Sequence, residues 1–343
     1  MSRKFATGGA PHFPPHTSVA GVMQQLLLAL APGIVAYIWF FGPGILIQIL
    51  LAVTFALGFE ALMLTARKQP IRLFLGDWSA VVTAVLFALC VPPLAPWWIA
   101  LIGMLFAIVL AKHLYGGLGQ NLFNPAMVGY VVVLISFPQI MALWSPPSSI
   151  ASHSLSIGET LTTIFSGSLP APLSWDAISE ATPLDAIRAS LAAGNMVSEA
   201  RMSPVFGDFG GLGWEWIANF YALGGLWLLW RRVISWHVPV MMIGSVAVLG
   251  LVSYLADPGS NPVPLQHIFS GALVLGAFFI ATDPVTGCVS NRGRLIFGAG
   301  VGVLTLLIRR WGGYPDGVAF AVLLMNMAAP LIDRYTRPRI SGQ

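Results

Sequence analysis

The sequence predicts an all-α polytopic membrane protein, with about ten transmembrane helices arranged as two inverted five-helix repeats around a large external loop. Three observations predict it: the composition, the apolar runs and an internal similarity. Of 343 residues, 57% are hydrophobic and 9% are charged, and the mean hydropathy is +0.80. A soluble domain has about 25% charged residues. This chain could not cover a water-facing surface, which excludes a soluble catalytic domain.

Ten apolar runs, bounded by Gly, Pro or charged residues, are interpreted as membrane-spanning helices. They lie at 22–41, 44–66, 76–91, 95–112 and 123–144, and at 214–231, 236–256, 266–283, 293–310 and 316–334. The segment between the two sets is rich in Ser, Pro, Gly and acidic residues. The predicted organisation is therefore an N-terminal segment (1–21), a first repeat (22–144), an external loop (145–213), a second repeat (214–334) and a C-terminal tail (335–343).

The basic residues predict the orientation of these spans, because loops on the cytoplasmic side carry an excess of Lys and Arg. If the N-terminus is cytoplasmic, thirteen of the 17 fall inside: Arg3, Lys4, Arg67, Lys68, Arg72, Lys112, Arg231, Arg232, Arg292, Arg294, Arg334, Arg337 and Arg339. Both termini are therefore predicted to be cytoplasmic, and loop 145–213 to lie outside the membrane. Because the net charge of +4 reflects orientation, no nucleic-acid partner is expected.

The two sets of five runs resemble each other. Ser79-x7-Phe87-x5-Pro93 matches Ser270-x7-Phe278-x5-Pro284, and the segment 112–117 matches 308–313. With five spans per unit, the second copy must be inverted in the membrane, an organisation that builds sites near the bilayer midplane from broken helices. The alternative is chance similarity between two Gly-rich apolar segments.

The external loop contains one string that could carry chemistry, Asp176-Ala-Ile-Ser179-Glu180-Ala181-Thr182, followed by Pro183 and Asp185. As local structure, Thr182 would be an N-cap with Pro at the first helical position and an acidic residue three positions on, a capping box that opens a helix running to Gly194. As function, the Thr182 hydroxyl would be esterified by the phosphate of a covalent flavin. The two interpretations are compatible, because a phosphate is stabilised at a helix N-terminus.

That string, set outside the membrane between two five-helix halves, resembles the NqrB/RnfD family. This family comprises the D component of Rnf electron-transport complexes and, more distantly, the NqrB component of sodium-pumping NADH:quinone oxidoreductases. Three further motifs support the resemblance over nearly the whole chain: Asn121-Leu-Phe-Asn124-Pro125-Ala, Ala281-Thr-Asp283-Pro284-Val-Thr286-Gly and Gly312-Gly-Tyr-Pro-Asp316-Gly-Val.

The resemblance implies FMN covalently attached at Thr182 by a separate flavin transferase, with Asp176, Ser179 and Ala181 in the rest of the acceptor motif. Glu180 departs from the family pattern, which usually has a small residue there. A non-covalent riboflavin, held by NqrB relatives, is a second candidate cofactor. The resemblance also implies partner proteins for this chain in an Rnf complex: the membrane subunits, a second covalent-flavin subunit and the iron-sulfur and NADH-binding subunits.

The implied function is electron transfer in an NADH:ferredoxin oxidoreductase coupled to Na⁺ or H⁺ movement. The implied location is a bacterial inner membrane, with loop 145–213 in the periplasm. No catalytic side chain is expected in this chain itself. No metal site is expected either, because Cys90 and Cys288 do not form a CxxC pair. Two alternatives stay open: a channel or secondary transporter in which Thr182 is only a cap, and an assembly scaffold.

Five ionisable groups fall in or next to the predicted spans, where a buried charge costs at least about 2.5–3.5 kcal/mol and is usually paired or functional. They are Glu60, Asp77, Lys112, Asp283 and Asp333. Glu60 and Asp283 are candidates for an ion path, with helix-end anchoring as the default interpretation. Asn124-Pro125 and Asp283-Pro284 would either break their helices and expose carbonyl groups, or simply mark helix ends.

Overall fold

The computed structural model describes residues 18–336, and this part of the chain is helical, with one isolated bridge between Phe206 and Gly211 as its only β-type pairing. The terminal positions 1–17 and 337–343, which include Arg3, Lys4, Arg337 and Arg339, lie outside the described residues. The helices in chain order are α1 Val19–Phe41, α2 Gly44–Ala66, α3 Ile71–Leu75, α4 Ser79–Ala88, α5 Trp97–Met104 (continued by a π-helix, Leu105–His113), α6 Pro125–Ser136, α7 Pro138–Met141, α8 Ile157–Ser166, α9 Trp175–Ile178, α10 Pro183–Ala192, α11 Val197–Ala200, α12 Trp214–Trp230, α13 His237–Ala256, α14 Pro264–Ile268, α15 Leu273–Leu275 (continued by a π-helix, Gly276–Ile280), α16 Asn291–Trp311 and α17 Val318–Thr336.

Within residues 18–336, five helices are long and apolar enough to cross a membrane: α1, α2, α13, α16 and α17. Several carry large apolar side chains that face away from the protein, such as Leu50 on α2 and Val248 on α13, which are 66% and 62% exposed. Such side chains are stable in lipid and not in water. The chain is a multi-pass membrane protein.

The predicted spans at 76–91 and 266–283 are wrong as continuous helices. Helix α4 has ten residues and is therefore about 15 Å long, half the hydrocarbon thickness. It is followed by an irregular segment that contains Pro92 and Pro93, which lack the N–H that a helix needs. The second run is divided into α14 and α15 at Gly271, whose φ of +67° favours glycine. A hydropathy average detects neither feature.

Close helix packing joins the two halves into one buried core. Helix α1 packs against α12, and α6 packs against α17. Glycine permits the closest approach: a Cβ on Gly224 of α12 would overlap the Ala29 carbonyl of α1. Small residues of this kind let membrane helices approach one another.

Between the halves, loop 145–213 forms short helices with a small core of their own, in which Ile187, Val197 and Ala200 pack with Leu191 and Phe206. This core fixes α10 above the membrane-spanning helices. It positions the first turn of α10, where the sequence places the candidate flavin threonine.

Candidate functional site

Thr182 is the N-cap of α10, as predicted. Its hydroxyl oxygen accepts a hydrogen bond from the Asp185 backbone N–H at 3.3 Å, and Pro183 occupies the first helical position. The capping box is only half formed, because the Asp185 carboxylate accepts from the Thr182 hydroxyl (2.7 Å) and not from the Thr182 backbone N–H. The aspartate side chain is one methylene shorter than the glutamate of a complete box. The hydroxyl is thus held at the N-terminus of a helix.

Below this hydroxyl lies a cavity of about 290 Å³, built from both halves of the chain and from the loop. Thr182 itself is part of its wall, as are two acidic residues, Asp185 and Asp316. Aromatic residues supply much of the rest, namely Tyr37, Tyr130, Trp144, Trp214, Tyr221 and Tyr314. Apolar and aromatic walls with a few placed polar groups are typical of a site for a planar organic ligand.

The aromatic wall is fixed by contacts among its rings. The Trp214 ring lies 5.6 Å from that of Tyr37 in an edge-on arrangement, and 5.3 Å from that of Trp144. The Tyr37 hydroxyl is buried and has no hydrogen-bond partner among the described residues. Because a buried hydroxyl without a partner is costly, Tyr37 is a group that a ligand in the cavity could satisfy.

The acidic residues of the cavity differ in their surroundings. Burial raises the pKa of the Asp185 carboxyl above its ordinary value, and the Thr182 hydrogen bonds oppose this only in part. Asp316 accepts from the Arg309 guanidinium at 3.0 Å and from the Ala272 backbone N–H at 2.6 Å. Arg309 also donates to the Ser270 carbonyl at 3.0 Å. The Asp316–Arg309 pair therefore fixes the break between α14 and α15 beside the cavity.

Sequence reasoning did not assign Asp316 and Arg309 to the site. A signal was present, since Asp316 lies in the Gly312-Gly-Tyr-Pro-Asp316-Gly motif, and Arg309 is one of four basic residues on the predicted outer side. The sequence does not show the fold, which brings Arg309 to Ser270, 39 residues earlier, in the break between α14 and α15.

The other residues of the predicted acceptor motif precede Thr182 in the loop and are not part of the cavity lining. The Ser179 hydroxyl donates to the Trp175 carbonyl at 2.7 Å, and Ala181 is next to Thr182. Asp176 is exposed on α9. Glu180 donates its backbone N–H to the Trp144 carbonyl at 2.8 Å, and burial raises the pKa of its carboxyl. The motif is thus accessible from outside, while its threonine reaches the cavity.

For Glu60, the structure overturns the helix-end interpretation. Its side chain is 2% exposed, Oε1 lies 2.8 Å from Lys112 Nζ, and Oε2 lies 3.1 Å from His113 Nε2. Lys112 also donates to the Ser79 hydroxyl at 2.8 Å. The sequence favoured helix-end anchoring as the default, but the π-helix that continues α5 brings Lys112 and His113 to Glu60 inside the protein.

Three other acidic residues bind backbone N–H groups at turns and helix ends. Asp77 accepts from the Ser79 N–H at 2.7 Å before α4, and Asp333 accepts from the Val289 N–H at 3.1 Å. Asp283 accepts from the Val285 N–H (3.1 Å) and from the Thr286 hydroxyl (2.9 Å). These contacts fit the helix-end interpretation.

Asn124 combines both interpretations of the Asn-Pro motif. Its side-chain oxygen accepts from the Met127 N–H at 3.3 Å, which caps α6, and its amide nitrogen donates to the Ile280 carbonyl at 3.4 Å. Its backbone N–H donates to the Asn326 side chain at 3.1 Å. Asn124 therefore marks a helix end and also joins the two halves.

Comparison with known proteins shows the same relationship that the motifs suggested. The profile of the NQR2, RnfD, RnfE family matches residues 6–342. The chain belongs to this family. The D component of the ion-translocating oxidoreductase complex of Vibrio cholerae is 50% identical to it, over 98% of this chain and 99% of the relative. The protein of the same name from Escherichia fergusonii is also 50% identical, over 98% of each chain.

Family membership confirms the resemblance drawn from the loop string and the three motifs. Because the match covers residues 6–342, it includes the cavity, the loop and both sets of helices. All the residues of the candidate site therefore lie within the part of the chain that matches the family.

Proposed function

We propose that this chain is the flavin-carrying membrane subunit of an Rnf-type ion-translocating oxidoreductase, passing electrons through FMN attached to Thr182. The names of the relatives support the coarser part of this proposal, a membrane subunit of an ion-translocating oxidoreductase complex. One structural observation carries the finer part. A threonine hydroxyl at a helix N-terminus lies on the wall of an aromatic cavity of about 290 Å³.

The residues present fit a phosphate-linked flavin. The positive end of the α10 dipole favours a phosphate on Thr182. Pro183 has no N–H and the Asp185 N–H binds the Thr182 hydroxyl, so the Leu184 N–H is the backbone donor that the first turn offers. The aromatic walls of the cavity suit a planar ring system. FMN would supply electron transfer in steps of one or two electrons. Thr182 would anchor it, while Tyr37, whose hydroxyl has no partner among the described residues, would position it. Residues that hold a cofactor set its potential without taking part in its chemistry.

The exposed part of the motif supports maturation by a separate flavin transferase, which has to reach Thr182 from outside. Asp176 is exposed and Thr182 is half-buried. Glu180 stands where the family pattern usually has a small residue, and its backbone N–H, not its side chain, contacts Trp144. An enzyme that binds the string can therefore contact these side chains before the flavin enters the cavity.

Replacing Thr182 tests the attachment. In cells that contain the transferase, the wild-type protein should give a band that fluoresces under ultraviolet light on a denaturing gel, and Thr182→Ala should abolish it. Thr162→Ala is the matched control, because Thr162 is an exposed threonine of the same loop. A wild-type protein of unmodified mass would refute the redox assignment and favour a channel or transporter.

Replacing Tyr37 tests whether the ring occupies the cavity. Tyr37→Phe should keep the fluorescent band and shift the midpoint potential of the flavin, because one hydrogen bond to the ring is lost. Tyr254→Phe, at a tyrosine outside the cavity lining, should leave the potential unchanged. Equal potentials in the two variants would contradict a flavin ring beside Tyr37.

We further propose the ten-helix inverted-repeat architecture. The two shortened spans, α4 and α14–α15, occupy corresponding positions in the two halves, a pattern that points to a binding site in inverted-repeat folds. Cationic groups from α5 and α16 bind corresponding positions: Lys112 contacts Ser79, and Arg309 contacts Ser270.

Cysteine labelling tests the inverted topology and the inner-membrane orientation. An impermeant maleimide added to intact cells from the periplasmic side should label Ser168→Cys in the external loop and leave Gln69→Cys, after α2, unlabelled. Both parent residues are exposed. Equal labelling of both positions would refute the proposed topology.

Coupled movement of Na⁺ or H⁺ completes the proposal, with Glu60 and Asp283 as ion-path candidates. The contacts favour Glu60, because its side chain is the more deeply buried and its two carboxylate oxygens contact Lys112 and His113. Glu60→Gln in a complex that keeps its flavin band should lower ion transport per electron, whereas Asp333→Asn should not. Transport with and without sodium then identifies the ion. Unchanged coupling in Glu60→Gln would exclude it from the path.

A further inference from the structure

Helix α8 of the external loop has an unusual surface for a helix in a water-facing segment. Three large apolar side chains lie on it at a spacing of four residues and point away from the protein: Ile157, Leu161 and Phe165 are 62%, 39% and 54% exposed. At 100° per residue, these positions cover one arc of about 80°. A single exposed apolar residue needs no explanation, but a continuous stripe on a short helix does.

The rest of the helix divides into two further arcs. Thr160, Thr163 and Ile164 are at most 2% exposed and form the face that contacts the protein. Exposed small or polar residues, Thr162 and Ser166, form the third arc. One arc faces protein, one is apolar and exposed, and one is polar. This division is expected for a helix that lies at a membrane surface beside a membrane-embedded protein, because such a helix faces protein, lipid and water at once.

The position of α8 in the fold agrees with that arrangement. It packs against α2, and Thr160 lines a recess together with Gly44, the first residue of α2. Helix α2 continues from that end with Leu46 and Leu50, which are 42% and 66% exposed on a membrane-spanning helix. The apolar arc is thus next to the end of a lipid-facing surface.

The distribution of charge on α8 also fits contact with lipid, because the exposed apolar arc is uncharged. The only charged residue of α8 is Glu159, whose carboxylate accepts from the Ser156 backbone N–H at 2.9 Å and from the Ser156 hydroxyl at 2.8 Å. It is therefore held at the N-terminus of its own helix, and the apolar arc carries no charge.

From these observations we infer that α8 is an interfacial helix, whose Ile157, Leu161 and Phe165 side chains insert into the outer edge of the lipid bilayer. The helix is too short to bind a membrane alone, with a length of about 15 Å. Its attachment to α2 supplies the orientation. By fixing the loop to the bilayer surface, α8 keeps the segment that leads to Thr182 at a constant height.

Spin labels at neighbouring positions test this inference in the full-length protein, reconstituted into vesicles of phosphatidylethanolamine and phosphatidylglycerol. Leu161→Cys and Thr162→Cys place a label on the apolar and the polar arc, one residue apart. The native thiols of Cys90 and Cys288 are buried, and unmodified protein gives the blank. Collision rates are measured with oxygen, which partitions into lipid, and with a water-soluble nickel chelate.

The label at 161 should be relaxed more by oxygen than by nickel, and the label at 162 more by nickel than by oxygen. Phe165→Cys and Ser166→Cys should repeat this contrast one turn later. Equal nickel accessibility at 161 and 162 would show that the apolar arc lies in water. Protection of 161 from both reagents in the assembled complex would show that another protein covers it. Either result would overturn the inference.

Discussion

The ion pair between Glu60 and Lys112 permits a prediction about which of the two side chains is more costly to replace. The order depends on the third partner, His113. Glu60→Gln removes the carboxylate that contacts both Lys112 and His113, whereas Lys112→Met leaves Glu60 with His113 Nε2 at 3.1 Å. In the second case, His113 still contacts one oxygen of the carboxylate. In the first, Lys112 keeps its contact with the Ser79 hydroxyl at 2.8 Å but loses its counter-charge. Glu60→Gln should therefore be the more damaging change.

The expected magnitudes follow from burial. Each side chain of the pair is at most 3% exposed, and breaking a buried pair on one side costs about 3–5 kcal/mol. We expect that loss for Glu60→Gln. For Lys112→Met, the remaining contact between Glu60 and His113 limits the loss to about 1–3 kcal/mol, the usual cost of an unsatisfied buried polar group. The double variant should recover about 0.5–3 kcal/mol of the summed losses, as residues in contact do.

The assay is denaturant unfolding in mixed micelles, followed by the fluorescence of the protein's 12 Trp residues. The free energy of unfolding of the four proteins closes a double-mutant cycle. Additive losses in the double variant would refute an energetic coupling between Glu60 and Lys112. A loss for Lys112→Met equal to that for Glu60→Gln would refute a stabilising contact between His113 and Glu60.

Two further predictions concern packing and pH. Gly103→Ala should destabilise the protein by about 1–3 kcal/mol in the same assay, as overpacking does, because a Cβ at Gly103 would overlap the Phe87 ring. Gly58→Ala should not destabilise it, because Gly58 has open space around it. Equal losses in the two variants would contradict the close packing at Gly103. The pKa of Glu159 is lowered by its hydrogen bonds from Ser156, so its contribution to α8 should be present above the ordinary carboxyl pKa and lost as the pH falls through the lowered value. Hydrogen exchange of the α8 amides at several pH values measures this, and Glu159→Gln should remove the pH dependence; a dependence that survives in this variant would contradict the assignment.

Local chemistry was predictable from the sequence, and long-range contacts were not. The Thr182 cap follows from neighbours within three residues, so the loop string was sufficient to predict it. The partners of Glu60 lie 52 and 53 positions later in the chain, and no periodicity reports them. The cavity is similar, because its wall contains side chains from α1, α6 and α12 together with residues 313–319. Hydropathy located the helices but overestimated α4, since an apolar run with prolines scores like a helix.

The same failure of hydropathy leads to the candidate site. Where α4 ends early, Leu89 and Cys90 become part of the cavity wall, and where α14 and α15 separate, Gly271 and Ala272 do. Two continuous spans in these positions would fill that space with helix. Breaking a helix in a membrane leaves backbone groups that need partners, and Asp316 supplies one by accepting from Ala272. Polar residues beside the breaks, such as Asp316, therefore satisfy the backbone groups that the broken helices leave free. They allow a cavity to form next to the threonine that would hold its ligand.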